Sequence, residues 1–207
     1  MMWVLKLGGS LLETGELPET LKQLSEHGAG QIVVVPGGGV FADQVRLLDE
    51  ELKLDDLTAH RLALRAMEEF GKLLITMNPC LHAAESLEAI NYWLDQDQIP
   101  VWFPYEMTFD NPAIKASWDI TSDSLSFWLA SQLECQNLVL LKPAEPQENN
   151  YSAAYLSSSG FIDKAFNDML VDTFVKPSWL YYKYLSSFLD LLKNKNPEST
   201  HLKPITT

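Results

Sequence analysis

The sequence predicts an α/β protein on a mainly parallel sheet, and three observations carry that prediction. Short apolar runs at 4–7, 32–35 and 138–141 read as strands buried on both faces. The first two each stop at a glycine-rich turn, Gly8-Gly9 and Gly37-Gly38-Gly39, and each turn leads towards a helix. Between them lies an amphipathic segment, so the chain opens strand, helix, strand, as parallel α/β layers do.

Taken in order, the first strand carries Lys6 inside an apolar run and ends at Gly8-Gly9. A loop over 11–16 enters a helix over 18–27, where Pro18 suits a first turn and Leu17, Leu21 and Leu24 share a face. The second strand, 32–35, runs through Pro36 and three glycines into a helical pattern of Val40, Phe41, Val45, Leu47 and Leu48. Residues 55–71 predict a helix, with His60 and Arg61 near its start, and 73–77 predicts a third strand. A helix over 81–96 and a strand over 99–103 follow, then a loop over 109–117. Thr121 or Ser122 suits the cap of an apolar helix over 125–133. Lys142 ends the strand at 138–141. The remaining chain predicts a last strand over 170–175, a terminal helix over 179–192 and a frayed tail from residue 194.

Composition narrows the function. A chain of 207 residues with 46% hydrophobic residues is long enough to bury a sizeable core. Its formal charge of -13 argues against nucleic acid or an anionic membrane as partner, yet leaves room for a phosphorylated ligand at local lysines and amides. Cys80 and Cys135 are too few for a disulfide framework and lack metal-ligand spacing, which suits a cytoplasmic protein with reduced thiols. The N-terminus has neither the basic start nor the apolar run of a signal peptide, and no stretch has the length of a membrane span.

Two stretches carry chemistry. Lys6 with the amides of Gly8 and Gly9 can present a cation and backbone donors to an anion. In Trp118-Asp119-Ile120-Thr121-Ser122-Asp123, hydroxyls and carboxylates gather ahead of a helix, where the dipole keeps Asp123 ionised and able to orient a lysine. Two glycine turns, strand-end lysines and one helix-start aspartate suit phosphoryl transfer, which needs alignment and charge compensation more than covalent help. No Walker A or GxGxxG pattern, HExxH, CxxC or hydrolase triad is present.

On these residues the chain resembles the amino acid kinase superfamily. K-L-G-G-S at 6–10 is similar to its first glycine motif, V-V-V-P-G-G-G with Phe41, Ala42 and Asp43 to its second, and W-D-I-T-S-D-S-L at 118–125 to the motif around its catalytic aspartate. The resemblance covers about residues 3–175. It implies a three-layer sandwich around an open, mainly parallel sheet of about eight strands, in one domain over 1–193. Within it, about 1–110 would form the acceptor-side lobe, 118–193 the nucleotide-side lobe, and 194–207 a flexible tail. It further implies ATP and Mg²⁺, with no protein-held metal, and a homodimer. Lys6 would be the transition-state lysine and Asp123 its positioning carboxylate. Gly8, Gly9 and Ser10 would face the transferred phosphoryl, and Gly37, Gly38, Trp118 and Ser122 the acceptor. The second lysine stays open between Lys142, followed here by P-A-E-P-Q-E-N-N in place of the family's V-D-G, and Lys164 in G-F-I-D-K.

H-R-L-A-L-R-A-M-E, T-S-D-S-L-S-F-W-L-A and G-F-I-D-K-A-F resemble in particular the small aminomethylfuran phosphate kinase branch of archaea and methylotrophic bacteria. That implies a phosphate monoester as acceptor, (aminomethyl)furanyl-methyl phosphate, on the route to methanofuran-type cofactors. Arg61, with Arg65 beside it, would then clamp the acceptor phosphate. The alternatives are another acceptor of the superfamily (isopentenyl phosphate, a nucleoside monophosphate or an amino acid) and a non-catalytic binding or assembly subunit.

Overall fold

Strand β1 (Trp3–Leu7) lies in the middle of the sheet, and the side-chain alternation along it organises the molecule. The computed structural model describes residues 1–194 and 201–207. After β1 come α1 (Leu17–His27), β2 (Ile32–Pro36), α2 (Gly39–Leu52), α3 (Asp56–Met77), β3 (Leu81–Ala84), α4 (Leu87–Asp95), β4 (Ile99–Trp102) and α5 (Tyr105–Thr108). The second half holds α6 (Ser122–Gln132), β5 (Asn137–Lys142), α7 (Ala153–Ser158), β6 (Lys176–Tyr181), α8 (Leu185–Asn194) and β7 (Lys203–Pro204). Short 3-10 segments occupy Gly9–Leu12, Lys164–Leu170 and Tyr182–Tyr184.

The strands form one sheet in the order β3-β4-β2-β1-β5-β6-β7. All neighbours are parallel except β6 and β7. Because successive strand residues point to opposite faces, β1 divides its side chains between two core layers. Leu5 and Leu7 join Val34, Val139 and Leu141 under α1 and α8, through Leu21, Leu24 and Phe188. Val4 joins Val35, Leu138 and Leu140 against Leu125, Phe127 and Leu129 of α6. Lys6 and Lys142 therefore fall on the α6 side, two residues beyond Val4 and Leu140 respectively. The register sets Lys6 opposite Leu140, so both lysines end at the same carboxyl edge of the sheet. The chain leaves β1 towards β2 and leaves β5 towards β6, which makes this edge the switch point where open α/β sheets receive ligands.

Several expectations are corrected. The sheet has seven strands within the described residues, not eight. Residues 73–77 do not form a strand but continue α3. Gly71 does not end that helix; a Cβ there would come within 2.8 Å of Phe103 Cε1, so the glycine lets the helix press onto the sheet. The strand in this region is β3, at the start of the expected 81–96 helix, and α4 begins only after Ser86 accepts a hydrogen bond from the Ala89 amide. The expected 170–175 strand lies at 176–181 instead, and it takes in Trp179 and Leu180 from the expected terminal helix. Aromatic residues suit a pleated, half-buried surface as well as a helix face, and here the sheet wins. Of the expected tail, 195–200 lies outside the described residues. Beyond it, β7 pairs with β6 and Ile205 is buried, so 201–207 is tied to the domain. No described helix is long and apolar enough to cross a membrane.

Candidate active site

Three charged side chains meet where β1, β5 and α6 converge. Lys6 Nζ lies 2.9 Å from Asp123 Oδ1 in an ion pair. Lys142 Nζ donates to Asp123 Oδ2 at 2.9 Å and to the Phe161 carbonyl at 2.6 Å. All three are buried. Burial alone raises the Asp123 carboxyl, but the ammonium groups of Lys142 and Lys6 outweigh it and hold it well below the usual carboxylate range. Lys142 is lowered instead. Burial and the neighbouring Lys6 together exceed what a carboxylate shared between two lysines returns. Two ammonium groups on one carboxylate leave an excess positive charge beside the glycine turns, a setting that favours an anion.

Asp163 anchors this arrangement, and no signal in the sequence assigns it a role. Its Oδ2 accepts from the Thr121 amide at 2.8 Å, the Thr121 hydroxyl at 2.9 Å and the Ser124 amide at 2.9 Å. Its Oδ1 accepts from the Ser124 hydroxyl and from the Phe166 amide at 3.2 Å. One carboxylate thus caps the first turn of α6, the turn that carries Asp123. Burial and the nearby Asp123 charge raise its carboxyl above the usual value, against the pull of these donors.

The glycine turns abut one another. A Cβ on Gly9 would fall 2.0 Å from Gly39 Cα, and one on Gly37 would fall 2.9 Å from the Gly9 nitrogen. Gly39 has φ +52, in the left-handed region. On Gly8 a Cβ would sit 3.2 Å from Lys6 Nζ, crowding the space in front of the ammonium. Turn-on-turn packing therefore explains Gly9 and Gly37, while Gly8 keeps the lysine head open.

Beside the turns lies a cavity of about 220 Å³. Gly9, Ser10, Gly38, Trp118, Thr121 and Ser122 line it; Lys6 and Asp123 precede and follow these wall residues in the chain, and Lys142 is joined to them only through its ion pair with Asp123. α2 contributes Gly39, Ala42, Asp43 and Arg46, and α3 contributes His60, Ala63, Leu64 and Met67. Each set follows i, i+3, i+4, i+7, the spacing of one helix face. Arg46 is not singled out in the sequence; the one signal for it is this spacing counted from Gly39, once the face of α2 that meets the cavity is known. The Arg46 guanidinium stands 4.4 Å over the Trp118 ring, and Trp118 Nε1 donates to Asp49 Oδ2 at 2.7 Å.

Three expected residues are corrected. Arg61 is one position round the helix from His60, exposed and directed to the Phe109 ring, so Arg46 is the guanidinium at the cavity. Arg65 is committed to Glu68 at 2.6 Å and to the Tyr105 ring. Lys164 is 78% exposed and pairs with Asp119 at 3.1 Å, because Asp163 turns inwards as the cap of the following turn and sends its neighbour outwards. Lys142 occupies the place beside Asp123. Among the described residues, no three His, Cys, Asp or Glu side chains group as a metal site.

Comparison with known proteins places the chain in a family. Over 140 residues the chain is 29% identical to the [5-(aminomethyl)furan-3-yl]methyl phosphate kinase of Methanocaldococcus jannaschii, a match spanning 67% of this chain and 64% of that one. Among solved structures, the uridylate kinase of Archaeoglobus fulgidus superposes with a TM-score of 0.69 at 17% identity, over 92% of this chain and 96% of its own. An isopentenyl phosphate kinase superposes with a TM-score of 0.61 at 12% identity, over 98% of each chain. These two likenesses are of fold. The model of the amino acid kinase family matches residues 1–145, and the chain belongs to that family.

Proposed function

We propose that the protein is an ATP-dependent kinase that phosphorylates a small phosphate monoester, of the kind named for its Methanocaldococcus relative, (aminomethyl)furanyl-methyl phosphate. The observation that carries this reading is the Lys6–Asp123–Lys142 cluster, a fixed excess of positive charge beside two abutting glycine turns. The lack of a side chain at Gly8, beside the Lys6 ammonium and the Ser10 hydroxyl, and the two ammonium groups fit a polyphosphate chain. Both Asp123 oxygens face lysines, so Mg²⁺ would be carried by phosphate oxygens and not by the protein.

When bound, MgATP supplies the γ-phosphoryl group and part of the charge neutralisation. Transfer forms one bond, from an acceptor phosphate oxygen to the γ-phosphorus, and breaks one, from that phosphorus to the oxygen of departing ADP. Lys6 and Lys142 offset the negative charge that gathers on the moving group and on the leaving oxygen. Asp123 holds both ammonium groups in place without needing to accept a proton. The amides at the start of α2, beside Gly38 and Gly39, direct their positive end at the acceptor phosphate, with Arg46 at the cavity wall.

The test is ADP release with Mg-ATP and a panel of phosphomonoesters that includes the furan phosphate, isopentenyl phosphate and nucleoside monophosphates. Turnover on the furan phosphate is expected; silence across the panel from folded protein would refute the kinase reading. We also propose that the chain forms a homodimer through α2 and α3, which pack together and expose Leu47, Leu48, Leu52, Leu57 and Leu62. Sedimentation showing a monomer at micromolar concentration would refute that.

A further inference from the structure

His60 is the unexplained polar group of the cavity. It is only 6% exposed, and its Nε2 has no hydrogen-bond partner among the described residues. The ring forms part of the wall of this cavity and of a smaller one beside it, which share Ala63, Trp118 and Ile120. A buried imidazole nitrogen that the fold leaves unsatisfied, at a cavity wall, awaits a partner from what binds there. Ala63, Leu64, Met67 and Leu125 give the cavity an apolar part, and Thr121, Ser122 and Ser10 line the part towards the glycine turns.

The charge around the two cavities indicates what that partner is. Glu13, Asp43 and Asp56 line them, against one basic side chain, Arg46. Burial lowers His60, which favours the neutral ring with a nitrogen lone pair to offer. A protonated ring would repel a cation; a neutral one accepts a hydrogen bond from it.

We propose that His60 is the specificity-determining residue of the acceptor cavity, its Nε2 accepting an N–H from an amine on the body of the substrate, away from the phosphate. This rests on the reading of the cavity as the acceptor site. It makes the preferred acceptor an amine-bearing phosphomonoester with a small apolar body, and it separates the recognition of the amine (His60) from that of the phosphate (the α2 amides and Arg46).

Calorimetric titration tests it without requiring turnover. The probes are (aminomethyl)furanyl-methyl phosphate and the same ester with a methyl group in place of the aminomethyl. The unmodified protein is expected to prefer the amine by roughly tenfold or more, about what one hydrogen bond to a charged group supplies. His60→Leu should bring that ratio to about one while leaving the affinity for the amine-free ester unchanged, and His60→Gln should restore part of it. In the unmodified protein, the His60 Nε2 nitrogen resonance should move with the amine-bearing ester and stay still with the other. An undiminished preference in His60→Leu, a stationary resonance, or an unmodified protein that does not discriminate would overturn the proposal. Selective binding lost in His60→Leu, in a protein that releases no ADP, would instead uphold His60 and refute the kinase.

Discussion

Two parts of one site are built on opposite principles. At the carboxyl edge of β1 and β5, charge is buried and fixed, and every polar atom of the carboxylate faces a lysine. In the cavity beside α2 and α3, the charged groups are exposed and of mixed sign, and one buried imidazole nitrogen has no partner among the described residues. The first arrangement resists change and suits a reaction whose charge pattern does not vary between substrates. The second can be altered a residue at a time and suits selection among acceptors. The difference also separates what stability depends on from what substrate choice depends on.

Mutations should break the two parts differently. The largest effect is expected from Asp123→Asn, which leaves two buried ammonium groups without a counter-charge. It should cost about 3–5 kcal/mol in denaturant unfolding and abolish turnover. The pH dependence follows from the sign of the shift. The folded carboxyl of Asp123 titrates below its unfolded value of 3.8, so its stabilisation is complete above that pH and is lost as pH falls through the folded value. Asp123→Asn should therefore flatten the acid limb of stability against pH. Lys142 is also lowered from its ordinary 10.5, so its share of stability grows as pH rises towards that value.

Lys6→Ala should lower kcat by roughly 10²–10³-fold, the loss seen when one transition-state donor is removed, and keep the melting temperature, since Lys142 still holds Asp123. Asp163→Ala removes the acceptor of several hydrogen bonds at the start of α6 and should cost about 1–3 kcal/mol per buried donor left unpaired. It should depress kcat far more than the acceptor KM, with partial recovery in Asp163→Asn. The smallest effects belong to the cavity wall. Arg46→Ala should raise the acceptor KM roughly tenfold with little change in kcat, whereas Arg61→Ala, remote from the cavity, should change neither.

How much of this was legible in the sequence follows the same division. The cluster at the sheet edge is a matter of strand alternation. Lys6 lies two residues after Val4, Lys142 two after Leu140, and Asp123 falls in the first turn of a helix, so period and capping signals suffice to place them. The parallel sheet was legible for the same reason, from Ile32–Val35 and its glycine turn. Residues 73–77 were not, because an apolar run after a glycine fits a strand as well as the buried end of a helix, and the close packing of Gly71 on Phe103, 32 residues on, leaves no mark in the run itself. Arg61 and Arg46 differ by which helix face meets the cavity, and that depends on how α2 and α3 pack. Asp163 was hidden because its partners, Thr121 and Ser124, lie 42 and 39 residues away. Lys164 attracted notice by spacing alone, but the carboxylate beside it takes the inward position.

The most direct test follows the phosphorus atom itself. Phosphorus NMR of a mixture of protein, Mg-ATP and the furan phosphate should show a new diphosphate ester appearing as ADP accumulates, and the same signal growing roughly 10²–10³-fold more slowly with folded Lys6→Ala. Diphosphate forming equally fast in both proteins would contradict the catalytic role of the lysine–aspartate–lysine cluster.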